Sequence, residues 1–206
     1  MKTPIAYKPQ AGFTLYELLI TTVIVGTVMA FGMANLVDFT RNSRMTAAAN
    51  DLHASFFLAR SEAARARTNV SICSSTNPMA ADPDCGGTFE DGWIVFLDPN
   101  GDVIHDAGEP ILRAHDALDD VVNISTPGMD DYFSFSPSGL GRGAVAASGN
   151  PPVTTAVICD DRGNIVASGG RSAARVLIIT PLGRATVLHS VAQVQTSIDN
   201  SGAACP

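Results

Sequence analysis

An uncharged run of twenty residues, from Leu18 to Val37, constrains this chain more than any other feature. Coiled into a helix, twenty residues are about 30 Å long, which matches the hydrocarbon thickness of one bilayer. Glu17 stands at the edge of the run, and a carboxylate is costly in hydrocarbon unless it is protonated or paired with a cation. The run therefore predicts a membrane-spanning helix with a candidate functional carboxylate at its start.

A short basic leader precedes the apolar segment and ends at a Gly12-Phe13 junction. It contains Lys2 and Lys8, and Glu17 is the fifth residue counted from Phe13. This arrangement resembles the prepilin (type III) signal of type IV pilins and pseudopilins. The resemblance implies that a membrane prepilin peptidase cleaves after Gly12 and methylates the amine of Phe13. It also implies that Glu17 neutralises the N-terminal amine of a neighbouring subunit in a filament. An ordinary signal anchor with a chance glutamate is the alternative.

The helix is predicted to continue beyond the apolar run, because no proline lies between Pro9 and Pro78. After Asp38, apolar residues recur every three or four positions, which predicts one buried stripe on an amphipathic helix: Ala48, Leu52, Phe56, Ala59 and Ala63. The chain then divides into a leader (1–12), a transmembrane and assembly helix (13–37), its amphipathic continuation (38–69) and a β-rich domain (70–206).

Short β-rich runs separated by turn residues predict the strands of that domain. They are Asn69–Ser74, Gly92–Leu97, Val121–Ile124, Tyr132–Ser136, Thr155–Cys159, Asn164–Ala167, Arg175–Thr180 and Ala185–Ser190. The pattern contains no signal for parallel βαβ units, so the predicted fold class is α+β, with a long helix packed on an antiparallel β-rich domain.

Several local motifs are spread over the chain: Leu58–Ala63 leading into Val70–Cys73, Gly92–Phe96, Glu109–Arg113, Phe135–Gly139 and Gly183-Arg184. Together they resemble the GspH/FimT (FimU-like) group of minor pilins and pseudopilins. The resemblance implies a type IV pilin-like fold and a place in a tip or initiation complex. It implies as partners other minor and major pilins, the prepilin peptidase and the inner-membrane assembly platform. The globular domain would lie in the periplasm, on a single-pass anchor, until assembly carries it to the pilus.

Acidic residues are concentrated in one part of the β-rich domain. Residues 82–131 hold thirteen Asp and Glu against Arg113, and the chain as a whole has a formal net charge of −7. This balance does not support a large nucleic-acid surface. We expect the acidic segment to give contacts with neighbouring subunits their charge specificity.

DNA binding is nevertheless an alternative, because some FimT-type relatives bind DNA through a Gly-Arg-x-Arg motif. The matching residues here are Gly183-Arg184-Ala185-Thr186, so the second arginine is missing. Arg142, Arg171 and Arg175 are the candidates that could take its place. Since salt-dependent affinity for DNA scales with the number of phosphate contacts, two or three arginines predict weak binding. Solvated arginines without a ligand are the simpler interpretation.

Four cysteines suit an exported domain, where disulfides persist. Cys73, Cys85, Cys159 and Cys205 allow three pairings. We favour Cys73 with Cys85, which closes a short loop, and Cys159 with Cys205, which ties the C-terminal tail to the domain. The absence of a Cys-x-x-Cys pair or clustered histidines argues against zinc.

The segment from Asp98 to Glu109 has oxygen-bearing side chains at the spacing of an EF-hand calcium loop: Asp98, Asn100, Asp102, Asp106 and Glu109. Val103 stands where the sharp turn of such a loop needs glycine, so a polar hairpin loop is the simpler interpretation. Catalytic signatures such as a nucleophile elbow, a His-Glu-x-x-His pair or a Walker loop do not occur. We therefore expect neither an enzyme nor a cofactor.

The sequence thus predicts a minor type IV pilin that supports pilus assembly in twitching, adhesion or DNA uptake. A GspH-like minor pseudopilin of type II secretion is the first alternative. A FimT-like DNA-binding pilin of natural transformation is the second.

Overall fold

A computed structural model describes residues 12–143, 151–167 and 169–205 of the chain. For residues 31–35 it describes the backbone alone. The basic leader with Lys2 and Lys8 lies outside the described residues. The chain forms two compact units, Met1–Phe39 and Thr40–Pro206.

The first unit contains the start of helix α1 (Leu15–Ala66). Large apolar side chains are exposed along the part of it whose side chains are described, among them Leu15, Leu18, Val23, Val28 and Met29. Within the described residues, no stretch of helix combines the length and the hydropathy that a membrane crossing needs.

The second unit contains the rest of α1, eight strands and a short C-terminal helix. The strands are β1 (Val70–Ser74), β2 (Trp93–Leu97), β3 (Ile111–His115), β4 (Asn123–Ser125), β5 (Tyr132–Phe135), β6 (Thr155–Cys159), β7 (Arg175–Ile179) and β8 (Ala185–Leu188), and the helix is α2 (Val191–Ser201). They form two antiparallel sheets, with strand orders β3-β2-β1-β5 and β4-β6-β7-β8. The α+β class with an N-terminal helix on antiparallel sheets is confirmed.

One face of α1 covers the inner faces of both sheets. All five residues of the predicted apolar stripe are buried, and Met45 and Ala49 extend it. They share one core cluster with Ile72 and Trp93 from the first sheet and with Ile158 and Leu177 from the second. Because burial of apolar surface drives folding, this shared cluster explains why the two sheets and the helix belong to one unit.

The outer face of each sheet is also covered. On the first sheet, Ile94 and Phe96 pack with Val103 from the β2–β3 loop. On the second sheet, Val157 and Val176 pack with Val194 of α2. Burial on both faces explains why these strands are continuous apolar runs rather than alternating apolar and polar residues.

Strand β3 and the segment Asn164–Ala167 differ from the sequence prediction. Strand β3 was not predicted, because it is an edge strand and carries Arg113 and His115, which point to Asp51 of α1 at 3.6 and 3.5 Å. The strand predicted over Asn164–Ala167 is wrong, since Val166 makes only an isolated bridge to Ser172.

Helix α2 was also not predicted, although its ends carry helix signals. The Ser190 side chain accepts a hydrogen bond from the Gln193 amide, and Gly202 ends the helix with a φ of 70°. A Ser-x-x-Gln pattern followed by a C-terminal glycine is typical of a capped helix. Because the segment is only weakly apolar, its hydrophobic periodicity does not predict this helix.

Candidate assembly sites

The first turn of α1 is closed by a reciprocal pair of hydrogen bonds between Thr14 and Glu17. The Glu17 amide donates to Thr14 Oγ1 at 3.2 Å, and the Thr14 amide donates to Glu17 Oε2 at 3.0 Å. Thr14 Oγ1 also lies 3.1 Å from Glu17 Oε2. This is a capping box, and the Thr-x-x-Glu pattern of Thr14-Leu15-Tyr16-Glu17 is its sequence signature. Glu17 therefore caps its own helix in the isolated chain, which is a role that the sequence analysis missed.

The residues around the expected cleavage position are open. Phe13 is 86% exposed, and Gly12 has no neighbouring atom within 4 Å of the position where a Cβ would be. Among the described residues, no atom therefore covers this junction.

Both disulfides join the pairs that the sequence analysis favoured. Cys73 of β1 is bonded to Cys85, and Cys159 of β6 is bonded to Cys205. The first bridge lies in the cluster that covers the outer face of the first sheet, and the second lies in the α2 cluster. Each disulfide thus fixes one outer layer of the domain.

The polar side chains at the calcium-loop spacing of the β2–β3 loop form hydrogen bonds within the domain. Asp98 is buried, and its two oxygens accept hydrogen bonds from the amides of Gly101 and Val103 and from the Ser71 hydroxyl. The Asn100 amide nitrogen donates to Asp102 Oδ2 and Asp106 Oδ2, both at 3.0 Å, where a calcium loop would present oxygens to the ion.

Glu109, the last of the five candidates, is turned to the loop backbone and accepts from the Asp106 amide at 3.1 Å. Burial raises the pKa of the Glu109 carboxyl. In the part of the chain that the structure describes, no three acidic, histidine or cysteine side chains converge as metal ligands.

The same loop presents a short acidic tip, which we define as residues 102–106. Val103 and His105 point inward and are buried, whereas Asp102, Ile104 and Asp106 are exposed. Val103 adopts the left-handed region with a φ of 67°. The two ring nitrogens of His105 lie 2.9 Å from the Pro83 carbonyl oxygen and 3.1 Å from that of Glu109. The tip is therefore fixed to the domain on both sides of Ile104.

Two of the four arginine candidates for DNA contact are engaged inside the domain. Arg175 is buried, and its guanidinium donates to the carbonyl oxygens of Ser172, Ala173 and Ala174, so its assignment as a DNA contact is wrong. Burial lowers the pKa of Arg175, with the nearby arginines adding to the shift. Arg142 donates to the Gly101 carbonyl oxygen at 2.6 Å and lies 3.9 Å from Asp98. Arg171 and Arg184 are exposed.

Arg184 borders a surface hollow that we name the Phe57 cleft, which lies beside α1. Its lining includes Phe57 and Arg60 of α1 and Gly183 and Arg184 of the β7–β8 turn. The exposed Leu182 precedes Gly183 in the same turn. Two cavities of about 350 and 360 Å³ flank Phe57 and Arg60. Arg60 Nη1 donates to the Gly183 carbonyl oxygen at 3.3 Å, which holds the guanidinium at the cleft.

Part of the acidic segment is used to join α1 to the β-domain. Arg44 of α1 lies 3.3 Å from Asp119, and a second arginine, Arg41, lies 3.2 Å from Asp161 in the β6–β7 connection. Asp131 is partly buried and accepts hydrogen bonds from the Phe89 amide and the Thr126 hydroxyl. Burial raises the pKa of the Asp131 carboxyl above its ordinary value, and the neighbouring acids add to the shift.

Comparison with known families gives two matches. The model of the type II transport protein GspH matches residues 48–183, and the model of the prokaryotic N-terminal methylation motif matches residues 7–33. No curated protein matches the chain.

Two similar crystal structures are both of the type IV minor pilin FimU of Pseudomonas aeruginosa PAO1, and each is 22% identical in sequence. The structure in space group P21 aligns over 75% of this chain and 94% of its own, with a TM-score of 0.49. The structure in space group P65 aligns over 69% and 90%, with a TM-score of 0.45.

Proposed function

Since the chain belongs to the GspH family, we propose that it is a minor subunit of a type IV pilus, processed by a prepilin peptidase. Cleavage after Gly12 and methylation of Phe13 would give a mature subunit that begins two residues before α1. The match of residues 7–33 to the N-terminal methylation motif supports this processing.

The single observation that carries the proposal is the exposed apolar surface at the start of α1, headed by Glu17. Leu18, Val23 and Val28 are each at least 60% exposed. Contiguous apolar surface of this kind needs lipid or other apolar helices to cover it. In the proposed mechanism the segment of residues 13–37 is held in the inner membrane and then packs beside the helices of other pilins.

Glu17 would exchange its partner during assembly. In the isolated chain Glu17 Oε2 accepts from the Thr14 amide and lies beside the Thr14 hydroxyl. In an apolar bundle, an opposite charge stabilises the carboxylate more than neutral donors do, and an unpaired carboxylate is costly. The methylated amine of a neighbouring subunit supplies that charge and fixes the register of the two helices.

A minor pseudopilin of type II secretion is the second candidate, favoured by the description of the family model as a type II transport protein. Deletion of the gene separates the two candidates. Loss of pili or twitching with normal secretion supports the pilus role, and loss of secretion with normal pili supports the pseudopilus role. A DNA-binding role is weaker, because Arg175 is buried and Arg142 is bonded within the domain.

The test of the proposal is the intact mass of the membrane-extracted chain, expressed with and without a prepilin peptidase. We expect the enzyme to remove residues 1–12 and to add one methyl group to Phe13. A chain that keeps Met1 in the presence of an active peptidase, or that is cut elsewhere, would overturn it.

A further inference from the structure

We propose that two copies of this chain bind each other by placing the acidic tip of one copy in the Phe57 cleft of the other. The inference deepens the proposed function, on which it rests, because it assigns a subunit contact to the globular unit. It follows from the shape, charge and exposure of two surfaces that share no residue.

The cleft has the chemistry of a site for an acidic and aliphatic segment. Phe57, which lines the cleft, is 67% exposed, and Leu182, which precedes Gly183 in the β7–β8 turn, is 66% exposed. Arg60 and Arg184 line the cleft together with Phe57, and neither forms an ion pair with a carboxylate among the described residues. An apolar floor with two available cations therefore favours a ligand with one apolar side chain and flanking carboxylates.

The acidic tip carries that combination on the same chain. Ile104 is 47% exposed and stands between the exposed carboxylates of Asp102 and Asp106. The Asn100 side-chain nitrogen donates to both carboxylates, at 3.0 Å each, and so holds them near each other. In the proposed contact, Ile104 would pack against Phe57 and Leu182. The carboxylates of Asp102 and Asp106 would pair with the guanidinium groups of Arg60 and Arg184.

The tip is ordered before it binds. The Val103 amide donates to Asp98 Oδ2, and the Ile104 amide donates to Asp102 Oδ1 at 2.9 Å. The buried His105 ring packs edge-on against Phe96. Because the segment is already fixed, binding costs little of the conformational entropy that usually opposes the docking of a loop.

The cleft is fixed as well. The Arg60 side chain is bonded to the Gly183 carbonyl and lies against Gly139, where a Cβ would be 3.6 Å from Arg60 Cγ. Complementary charge fixes the orientation of such a contact more than its strength. A contact that uses a different surface on each copy is heterologous, so it lets one subunit join two neighbours.

Cysteine cross-linking of the full chain in detergent tests this contact. The four native cysteines are all in disulfides, so introduced cysteines supply the free thiols. Chains with Ala107→Cys are mixed with chains with Ala64→Cys and treated with a short bismaleimide. Both positions are exposed beside the contact, and both substitutions keep Ile104, Phe57 and Leu182. The matched control replaces Ala107→Cys by Val121→Cys, whose side chain is 46% exposed at another place in the domain.

We expect the Ala107→Cys and Ala64→Cys pair to cross-link at least tenfold faster than the control pair. Adding Asp102→Arg and Asp106→Arg to the first chain should abolish this excess. Adding Arg60→Glu and Arg184→Glu to the second chain should restore it, which a misfolded variant cannot do. Equal rates for the two pairs, or no restoration by the charge exchange, would overturn the proposal.

The intact mass of the same samples separates this inference from the proposed function. If the chains are cleaved and methylated but fail to cross-link, the tip-to-cleft contact alone is ruled out. Chains that are not processed by the peptidase would remove the proposed function, whatever the cross-linking rate.

Discussion

Thr14 and Glu17 bond to each other's backbone amides, so the carboxylate expected to act between subunits also caps the helix of its own subunit. These two roles can be separated, because the cap needs a hydrogen-bond acceptor and the contact between subunits needs a negative charge. Glutamine also serves at the N3 position of a capping box, which Glu17 occupies here. The first prediction rests on this difference.

Glu17→Gln should leave cleavage after Gly12 unchanged and abolish incorporation of the chain into filaments. The variant keeps the acceptor for the Thr14 amide but has no charge for a neighbouring amine. The matched variant Thr14→Ala keeps the charge and loses the cap at a cost of about 1 kcal/mol, so it should still be incorporated. Immunoblots of sheared pili and of membranes measure both steps. Normal incorporation of Glu17→Gln would show that the charge is dispensable.

Ser55→Ala should destabilise the domain by about 1–3 kcal/mol, because it leaves a buried donor unpaired. Trp93 Nε1 donates to Ser55 Oγ at 2.8 Å, and both residues are fully buried. Ser61→Ala is the matched control on the same helix, since the Ser61 hydroxyl is exposed and donates only to the Leu58 carbonyl. Denaturant unfolding followed by tryptophan fluorescence measures the difference. Equal free energies of unfolding for the two variants would contradict the prediction.

Gly183→Ala should destabilise the domain more than Gly128→Ala. Both glycines have positive φ, 72° and 70°, so the backbone strain of an alanine is similar at the two positions. At Gly183 a Cβ would also lie 2.8 Å from the Phe135 ring and 2.9 Å from the Gly139 carbonyl oxygen, whereas Gly128 has open space. Thermal unfolding of the two variants isolates the steric part. A smaller loss for Gly183→Ala would mean that the turn moves freely.

The stability of the domain should lose a contribution from Asp131 as the pH rises from about 4 through the native pKa of that carboxyl. Burial raises this pKa, so the folded state holds the proton more tightly than the unfolded state does. Folding is therefore favoured by protonation, and the contribution is complete below the unfolded pKa and lost above the folded one.

Asp131→Asn removes this titration. In the window above pH 4, the free energy of unfolding of the natural chain should fall with pH relative to that of the variant. The comparison uses the slope with pH and not the absolute stability, since the amide also changes the bonds to Phe89 and Thr126. Parallel pH profiles would show that Asp131 does not contribute.

Removing the Cys159–Cys205 bridge should cost more than removing the Cys73–Cys85 bridge. The two disulfides close segments with sequence separations of 46 and 12. In the chain-entropy model these lengths correspond to about 4 and about 3 kcal/mol. Paired serine substitutions at each bridge, compared by denaturant unfolding, give the two values. The reverse order would show that contacts of the released segments outweigh the loop entropy.

The sequence predicts the fold best where burial leaves a periodic or continuous apolar pattern. The stripe from Ala48 to Ala63 and seven of the eight predicted strands belong to the packed layers, so hydrophobic burial itself is what the pattern reports. Strand β3 is not predicted, because it is an edge strand whose Arg113 and His115 side chains lie toward Asp51 and interrupt the apolar pattern. Its position depends on a partner strand and a helix that local sequence does not contain.

The candidate sites are less predictable, because they depend on which polar groups the fold turns inward. Arg175 begins β7 and Arg184 immediately precedes β8, yet only Arg184 is exposed. The calcium spacing of the β2–β3 loop is present in the sequence, but the Asp98 oxygens are taken by amides of its own loop. The Phe57 cleft lies between α1 and a turn more than 120 residues away, as the hydrogen bond from Arg60 to Gly183 shows. Local sequence patterns therefore do not predict it.

The Cys159–Cys205 bridge also determines how the domain carries a mechanical load. Cys159 ends β6, which is an interior strand of the second sheet, whereas β8 is at the edge. Tension applied at the C-terminal end therefore passes through a covalent bond to an interior strand before it reaches α2, β8 or β7. Those three elements cannot be peeled away one after another from that end. A subunit pulled from its two ends would therefore resist by shear of β6 against β4 and β7.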